Sequence, residues 1–383
     1  MSKFKFSALI SFACLMSVVL YSLIGFSQSP QPTIRLTTEP PVNQISPFEA
    51  EATSPQSPVK LKLQAVDGAG KPLENAKINL KILTPSKNPW FTTDFPIVEG
   101  TKLLEMTANA PKGELQWQQM LPIRGKYHFQ VNVTPDVANA FNPIEQTLTL
   151  SVPENWVKFR NFGILAVILL VVGFGGGWVI GGQQNIQPGE IAPERVRLLL
   201  SGAMIVAIIA MLVINLSPKV AHSHTVQHTL SINDSGVVEQ GGLQAQILGD
   251  KSASVGQTAT LGVKVIDQKT NQPVKDILLN IKTTQLEDGW AAFVYKGIPD
   301  ATGQFTWQQQ FFDGAPHKVE IEVSPLANAI SQFSPLRLER EIEVEGIAPP
   351  LTTRFIALGY MTLIVIIGLF IGLGLRRNLA TQN

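Results

Sequence analysis

The chain has 383 residues and a formal net charge of +1; 45% of its residues are hydrophobic and 15% are charged. Roughly a quarter of an ordinary soluble domain is charged, so the deficit points to membrane segments, and the near-zero net charge speaks against a nucleic-acid partner. A single cysteine, Cys14, excludes an internal disulfide framework and a multi-cysteine metal site.

Residues 1–27 open with Lys3 and Lys5 and continue as an apolar run, the pattern of a signal peptide or a transmembrane helix. Residues 28–58 carry Pro30, Pro32, Pro40, Pro41, Pro47, Pro55 and Pro58, and read as an extended or irregular linker. Residues 59–153 hold period-two runs such as Leu61–Val66, Ile78–Ile82 and Tyr127–Val133, the signature of strands with one buried face. An uncharged apolar stretch at 162–182 predicts a transmembrane helix. A short loop, 183–197, leads to a second such helix at 198–216. Residues 217–257 form a second linker containing three histidines, part of which is expected to pair onto the second polar region as an extra strand. Residues 258–346 again alternate with period two, and a last transmembrane helix at 354–375 stops at Arg376-Arg377. Lys3, Lys5, Arg195, Arg197, Arg376 and Arg377 share one side in a single threading, against Lys158, Arg160, Lys219 and Arg354 on the other. The expected arrangement puts the 183–197 loop in the cytoplasm and both polar regions outside, in a bacterial inner or internal membrane.

The two polar regions are copies of one another. Gly113-Glu-Leu-Gln-Trp117-Gln118-Gln119 returns as Gly303-Gln-Phe-Thr-Trp307-Gln308-Gln309, and Tyr127 through Pro135 returns as His317 through Pro325. Asn79-Leu80-Lys81 matches Asn280-Ile281-Lys282, and the first copy carries a longer segment around Thr84 to Met106. Short strands separated by turn residues, as at Asp67–Pro72 and Asp267–Pro273, predict an all-β, immunoglobulin-like sandwich in two tandem copies, accompanied by transmembrane α-helices. Trp117 and Trp307, at equivalent positions, are expected as core anchors.

Gly70-Lys-Pro-Leu-Glu-Asn-Ala-Lys-Ile-Asn-Leu80 and Asn271 to Asn280 resemble a strand-to-strand region of bacterial immunoglobulin-like domains. Gly113 to Trp117, followed by Gly125-Lys-Tyr-His-Phe-Gln-Val131, resembles the YtkA-like and FixH-like extracytoplasmic domains. The resemblance implies a membrane-tethered sandwich, linked in some members to copper handling or oxidase assembly. No metal motif of that family transfers onto this chain residue by residue.

His222, His224 and His228 are the candidate metal ligands. On a strand His222 and His224 would share a face; on a helix His224 and His228 would. Neutral imidazole suits copper or zinc. Gly173, Gly177 and Gly181, and Gly368 and Gly372, are spaced by four and are candidates for close helix packing. No ionisable residue lies within an apolar span, which disfavours a pump. The Gly68-Ala-Gly70-Lys71 run lacks the first glycine and the Ser/Thr of a phosphate loop, and no Ser nucleophile elbow occurs. The leading expectation is a non-catalytic scaffold or assembly factor. It would contact membrane lipid and bind a membrane or extracytoplasmic protein. The alternative is a copper- or zinc-binding delivery protein.

Overall fold

The computed structural model describes residues 31–49, 56–88, 93–182, 193–204, 236–327 and 333–381, with isolated residues 16, 189, 191 and 329. The first apolar stretch, apart from Met16, and most of the third lie outside the described residues; of the third, residues 198–204 are helical.

The first copy consists of β1 (Thr33–Glu39), β2 (Val59–Val66), β3 (Ala76–Leu83), β4 (Lys102–Ala110), β5 (Glu114–Gln119), β6 (Gly125–Pro135) and β7 (Ile144–Val152). The second consists of β8 (Val237–Gln240), β9 (Leu243–Gly249), β10 (Ser252–Ser254), β11 (Thr258–Asp267), β12 (Ile277–Gln285), β13 (Ala291–Gly297), β14 (Gln304–Gln310), β15 (His317–Pro325) and β16 (Leu336–Glu345). Alternation makes these strands: in β6 every second residue, Tyr127, Phe129, Val131 and Val133, is buried and the residues between them are not. Equivalent turns carry the chain from one layer to the other, β2 to β3 and β11 to β12. Asp67 Oδ1 accepts from the N–H groups of Ala69 (2.9 Å) and Lys71 (2.8 Å). Asp267 Oδ1 accepts from Lys269 (3.0 Å) and Thr270 (2.9 Å). Gly113 and Gly303, at φ +68° and +69°, need a left-handed backbone where a Cβ would lie 2.5 Å from Leu73 O and 2.6 Å from Val265 O.

The two copies do not stand apart. They share both layers of one sandwich, with strand orders β1-β2-β5-β13-β12-β15-β16-β10 and β7-β6-β3-β4-β14-β11-β9-β8. In one layer β5 pairs with β13, setting Trp117 against Tyr295, Gln118 against Val294 and Gln119 against Phe293. In the other, β14 pairs with β4, setting Trp307 against Met106, Gln308 against Glu105 and Gln309 against Leu104. Because Trp117-Gln-Gln119 and Trp307-Gln-Gln309 are the duplicated motif, the two ladders are the same ladder seen from either copy. The copies are related by a pseudo-twofold axis at the junction, the isologous geometry of a symmetric dimer built within one chain.

Two long helices leave this sandwich: α1 (Trp156–Ile180) after β7 and α2 (Leu351–Thr381) after β16. Both start several residues before the apolar stretches read from sequence. Asn155 caps α1 by accepting from Val157 N–H at 2.9 Å. At 1.5 Å per residue they run about 37 and about 46 Å, enough for the roughly 30 Å hydrocarbon core. Their large apolar side chains, among them Val167, Val171, Leu363 and Phe370, face outward.

Two stretches expected as linkers contribute strands. Thr33–Glu39 pairs with β2 along all seven residues; the prolines dominate the composition around it, but none lies within it. Residues 236–257 hold β8, β9 and β10 rather than one added strand, with Leu243, Ala245 and Ile247 supplying the buried side of β9.

Candidate functional site

His222, His224 and His228 lie outside the described residues. Among the described residues no group of three His, Cys, Asp or Glu side chains is placed to hold a metal ion. The structural features that bear on function are the helix pair, the sandwich end nearest it, and the surface of the junction.

The helix pair is parallel. A Cβ at Gly173 would overlap the Val365 carbonyl, and one at Gly177 the Leu369 carbonyl. Reciprocally, a Cβ at Gly368 would overlap Leu170 O and one at Gly372 would overlap Phe174 O. Each glycine therefore meets the residue three before its counterpart, so the helix contact has the same twofold character as the sandwich. Only glycine permits this backbone approach. Gly181 sits at the end of the seam, where its Cβ would be 3.1 Å from Arg376 Cβ, and the Arg376 guanidinium lies 5.2 Å from the Trp178 ring centroid. Trp156 and Phe159, both exposed, mark the opposite end of α1. About 33 Å separates Trp156 from Trp178 along the helix, the spacing of two aromatic belts. Leu199 Cδ1 would be 3.7 Å from a Cβ at Gly176, so the helical segment 194–204 starts beside α1.

At the helix end of the sandwich, side chains from both copies close the core. Phe48 and Phe95 of the first copy pack on Trp290 and Phe312 of the second, at centroid distances of 4.7 to 5.3 Å for Phe48–Trp290, Phe48–Phe312 and Phe95–Phe312. Thr101 and Gln310 bridge the copies, with Gln310 Nε2 donating to Thr101 Oγ1 (2.8 Å) and Gly256 O (2.7 Å). The duplicated Tyr127/His317 position has diverged here. Tyr127 donates its hydroxyl to Ile123 O (2.6 Å) and accepts from Ile123 N–H (3.0 Å), and burial holds its phenol far above the usual range. His317 instead places Nδ1 2.8 Å from Ala315 O, edge-on to Trp290 and Phe311. Its burial pushes its pKa down to about 4, with the Ala315 carbonyl pulling weakly the other way.

Buried amides sit at the centre of the junction. Gln309 Oε1 accepts from Thr283 Oγ1 (3.2 Å), while Gln309 Nε2, Gln119 Oε1 and Trp117 Nε1 have no protein partner. Trp117 and Trp307 are buried, as expected of core anchors. On the outer face of the second layer, β4 and β14 part beyond their short ladder and leave a groove of about 250 Å³, lined by Lys77, Asn79, Glu105, Asn109, Asp300 and Gln304 among others. Its polar groups serve one another. Asn79 Nδ2 donates to Thr107 Oγ1 and Asn109 Nδ2 to Pro299 O, both at 2.8 Å, and Asp300 accepts from Thr302 N–H at 2.8 Å and Gln304 N–H at 3.1 Å. Desolvation, the largest single influence on the Asp300 carboxyl, pushes it up, but the Thr302 hydroxyl (2.6 Å), the two backbone donors and the charge of Lys77 together hold it below its usual range. No nucleophile–base pair is present in the groove.

No protein-family model and no curated protein matches the chain. Among solved structures it is similar to invasin, a bacterial integrin-binding protein, at 8% identity over 83% of this chain and 40% of that one, with a TM-score of 0.19. It is similar to the adhesin InvE of Yersinia pseudotuberculosis at 9% identity over 82% and 61%, TM-score 0.19. It is also similar to trypsin-activated alpha-2-macroglobulin from Escherichia coli at 9% over 82% and 16%, TM-score 0.22. The chain spans less than two thirds of each, and likeness at this level carries no functional argument. The strands and helices themselves define the class: a double immunoglobulin-like sandwich carrying two helices long and apolar enough to cross a membrane.

Two outcomes are expected from this geometry. Gly181→Cys/Arg376→Cys in a Cys14→Ala background should form a disulfide across the helix seam, and adding Gly177→Ile should abolish it; non-reducing electrophoresis reads both. The unfolded chain protonates His317 near its ordinary pKa of 6.5, whereas the folded chain resists until about 4. Stability should therefore fall as pH drops from 6.5 to 4, by a total on the order of 3 kcal/mol. His317→Phe should flatten that limb in thermal denaturation followed against pH.

Proposed function

We propose that this protein is a non-catalytic, membrane-tethered scaffold that presents one rigid double sandwich to a partner protein on the extracytoplasmic side of a bacterial inner or internal membrane. The observation that carries the reading is the parallel helix pair. Because α1 and α2 run side by side in the same direction, two spans of a membrane would leave both copies of the sandwich on one face of it. Gly182 stands at the far end of α1, and Gly236 is back at the sandwich, where its carbonyl accepts from Ile247 N–H. A further crossing between them fits the helical start at 194–204. The basic residues Arg195, Arg197, Arg376 and Arg377 then gather at the helix end remote from the sandwich, on the cytoplasmic side. Lipid contacts the outward apolar faces of the helices.

The fused copies suit docking better than chemistry. The buried groups are aromatic rings and amides that fix one register, and the polar groups of the groove are occupied with one another. Purification of the full-length protein from its native membranes should retain a stoichiometric protein partner, identified by mass spectrometry. That partner should persist in the His222→Ala/His224→Ala/His228→Ala variant. Loss of the partner in the triple variant, together with loss of bound copper or zinc, would replace the scaffold with a metal-delivery protein. A protein that purifies alone from native membranes would remove the scaffold reading.

A further inference from the structure

The duplication provides a comparison between two versions of the same sheet edge. Val133 and Val323 are equivalent in the repeat; Val133 pairs with Ile144 and Val323 with Leu336. Strands β7 and β16 are therefore counterparts, each at or next to the outer edge of its layer. β16, with the sequence Leu-Arg-Leu-Glu-Arg-Glu-Ile-Glu-Val-Glu, carries Arg337, Glu339, Arg340, Glu341, Glu343 and Glu345. The chain also covers part of it. Ser252–Ser254 lies alongside as the parallel strand β10, Glu343 N–H donates to Lys251 O (3.3 Å), and Val255 N–H donates to Glu345 O (3.0 Å). Charges and a covering strand are the ordinary protections of a sheet edge.

β7 has neither. Its sequence, Ile-Glu-Gln-Thr-Leu-Thr-Leu-Ser-Val, has one charge, no proline and no glycine, and it pairs with β6 without a bulge over nine residues. Asp136 N–H donates to Asn75 O, which fixes the alternation across β3, β6 and β7. Even-numbered residues of β6 face β3 and odd-numbered ones face β7, so the N–H and C=O groups of Glu145, Thr147 and Thr149 face away from the sheet. None of these three has a hydrogen-bond partner among the described residues. β1, in the other layer, touches this strand through its inward side chain, with Ile34 N–H donating to Gln146 Oε1 at 2.8 Å. The short 3-10 turn Val42–Gln44 follows β1 and lies beside β7.

We propose that the outer edge of β7, from Glu145 to Thr149, is the docking site for an extended, uncharged segment of a partner protein, which adds as a further strand. The chain already makes this kind of contact at the counterpart edge, where its own Ser-Ala-Ser segment adds to β16. The outward side chains Thr147, Thr149 and Ser151 are uncharged hydroxyls. They favour β-branched and hydroxyl-bearing neighbours and give a charged strand no counter-charge beyond Glu145. The proposal rests on the scaffold reading and names the place and mode of its contact.

The test uses the full-length protein in lipid nanodiscs and a fluorescein-labelled peptide of alternating Thr and Val. Saturable binding is expected, with hydrogen-exchange protection appearing on β7 amides. Thr147→Pro removes one outward N–H without touching the β6 ladder and should weaken binding by about tenfold or more, while Thr147→Val should bind as the parent does. The double variant Thr147→Lys/Thr149→Lys, which keeps every backbone group, should also lose the peptide and covers the case in which proline perturbs the strand. Undiminished binding in the lysine variant would overturn the proposal. So would self-association of the protein that disappears with the same substitutions, because the occupant would then be a second copy. Retention of the native partner by a variant that has lost the peptide would overturn this site and leave the scaffold reading standing. Absence of any native partner would sink the scaffold reading and this site with it.

Discussion

Two short backbone ladders, Trp117–Gln119 against Phe293–Tyr295 and Leu104–Met106 against Trp307–Gln309, determine the shape of this molecule. Each copy alone would be a small sandwich with an exposed edge on β4 and β5. Pairing β5 with β13, the counterpart of β4, and β4 with β14, the counterpart of β5, satisfies the backbone groups and extends both layers through the whole protein. It also brings Trp117 and Trp307 into a common interior, where truncating a buried Trp typically costs about 3–5 kcal/mol. The unpartnered Gln119 Oε1 and Gln309 Nε2 oppose that gain. Buried amides of this kind favour one register over slipped alternatives.

The same twofold relation governs the helices. Because β7 and β16 are counterparts, α1 and α2 leave the sandwich at counterpart positions, and the glycines on each find the other's backbone in reciprocal pairs. A pair of parallel helices packed through glycine and a pair of copies packed through strand edges are thus one arrangement expressed in two environments. In water, apolar burial and the ladders hold it. In an apolar environment, close backbone packing holds it.

Within that symmetry the copies have diverged where symmetry is not needed. The β13–β14 turn is longer than the β4–β5 turn and carries Asp300, which helps to shape the groove. Tyr127 and His317 close the same corner with different chemistry. The edges β7 and β16 differ in charge. Much of the fold was legible in the sequence because alternation and duplicated turns are local signals: Tyr127–Val133, Asp67 and Asp267 each announce themselves within a few residues. The Gly173, Gly177, Gly368 and Gly372 spacing was equally local. The junction was not legible, because the pairing of Gln118 with Val294 joins residues far apart in the chain, and nothing in either strand distinguishes a partner in the other copy from solvent. Strand β1 was hidden by the prolines around it, and the open edge of β7 acquires meaning only when set against β16. The histidine cluster at 222–228 was legible as a motif, but it lies outside the described residues.

The continuity of the sheets across the two copies is tested most directly by disulfide trapping of Gln118→Cys with Val294→Cys in the 383-residue chain reconstituted in lipid nanodiscs and lacking Cys14. These residues face each other across the junction with outward side chains, at a Cα separation of about 5.5 Å for a hydrogen-bonded antiparallel pair, which a disulfide can span. The within-copy pair Lys62→Cys with Gln116→Cys, adjacent across β2 and β5, serves as the positive control. Efficient cross-linking of both pairs is the predicted result. Cross-linking of the control pair without the junction pair would contradict the shared sheets and leave two independent sandwiches.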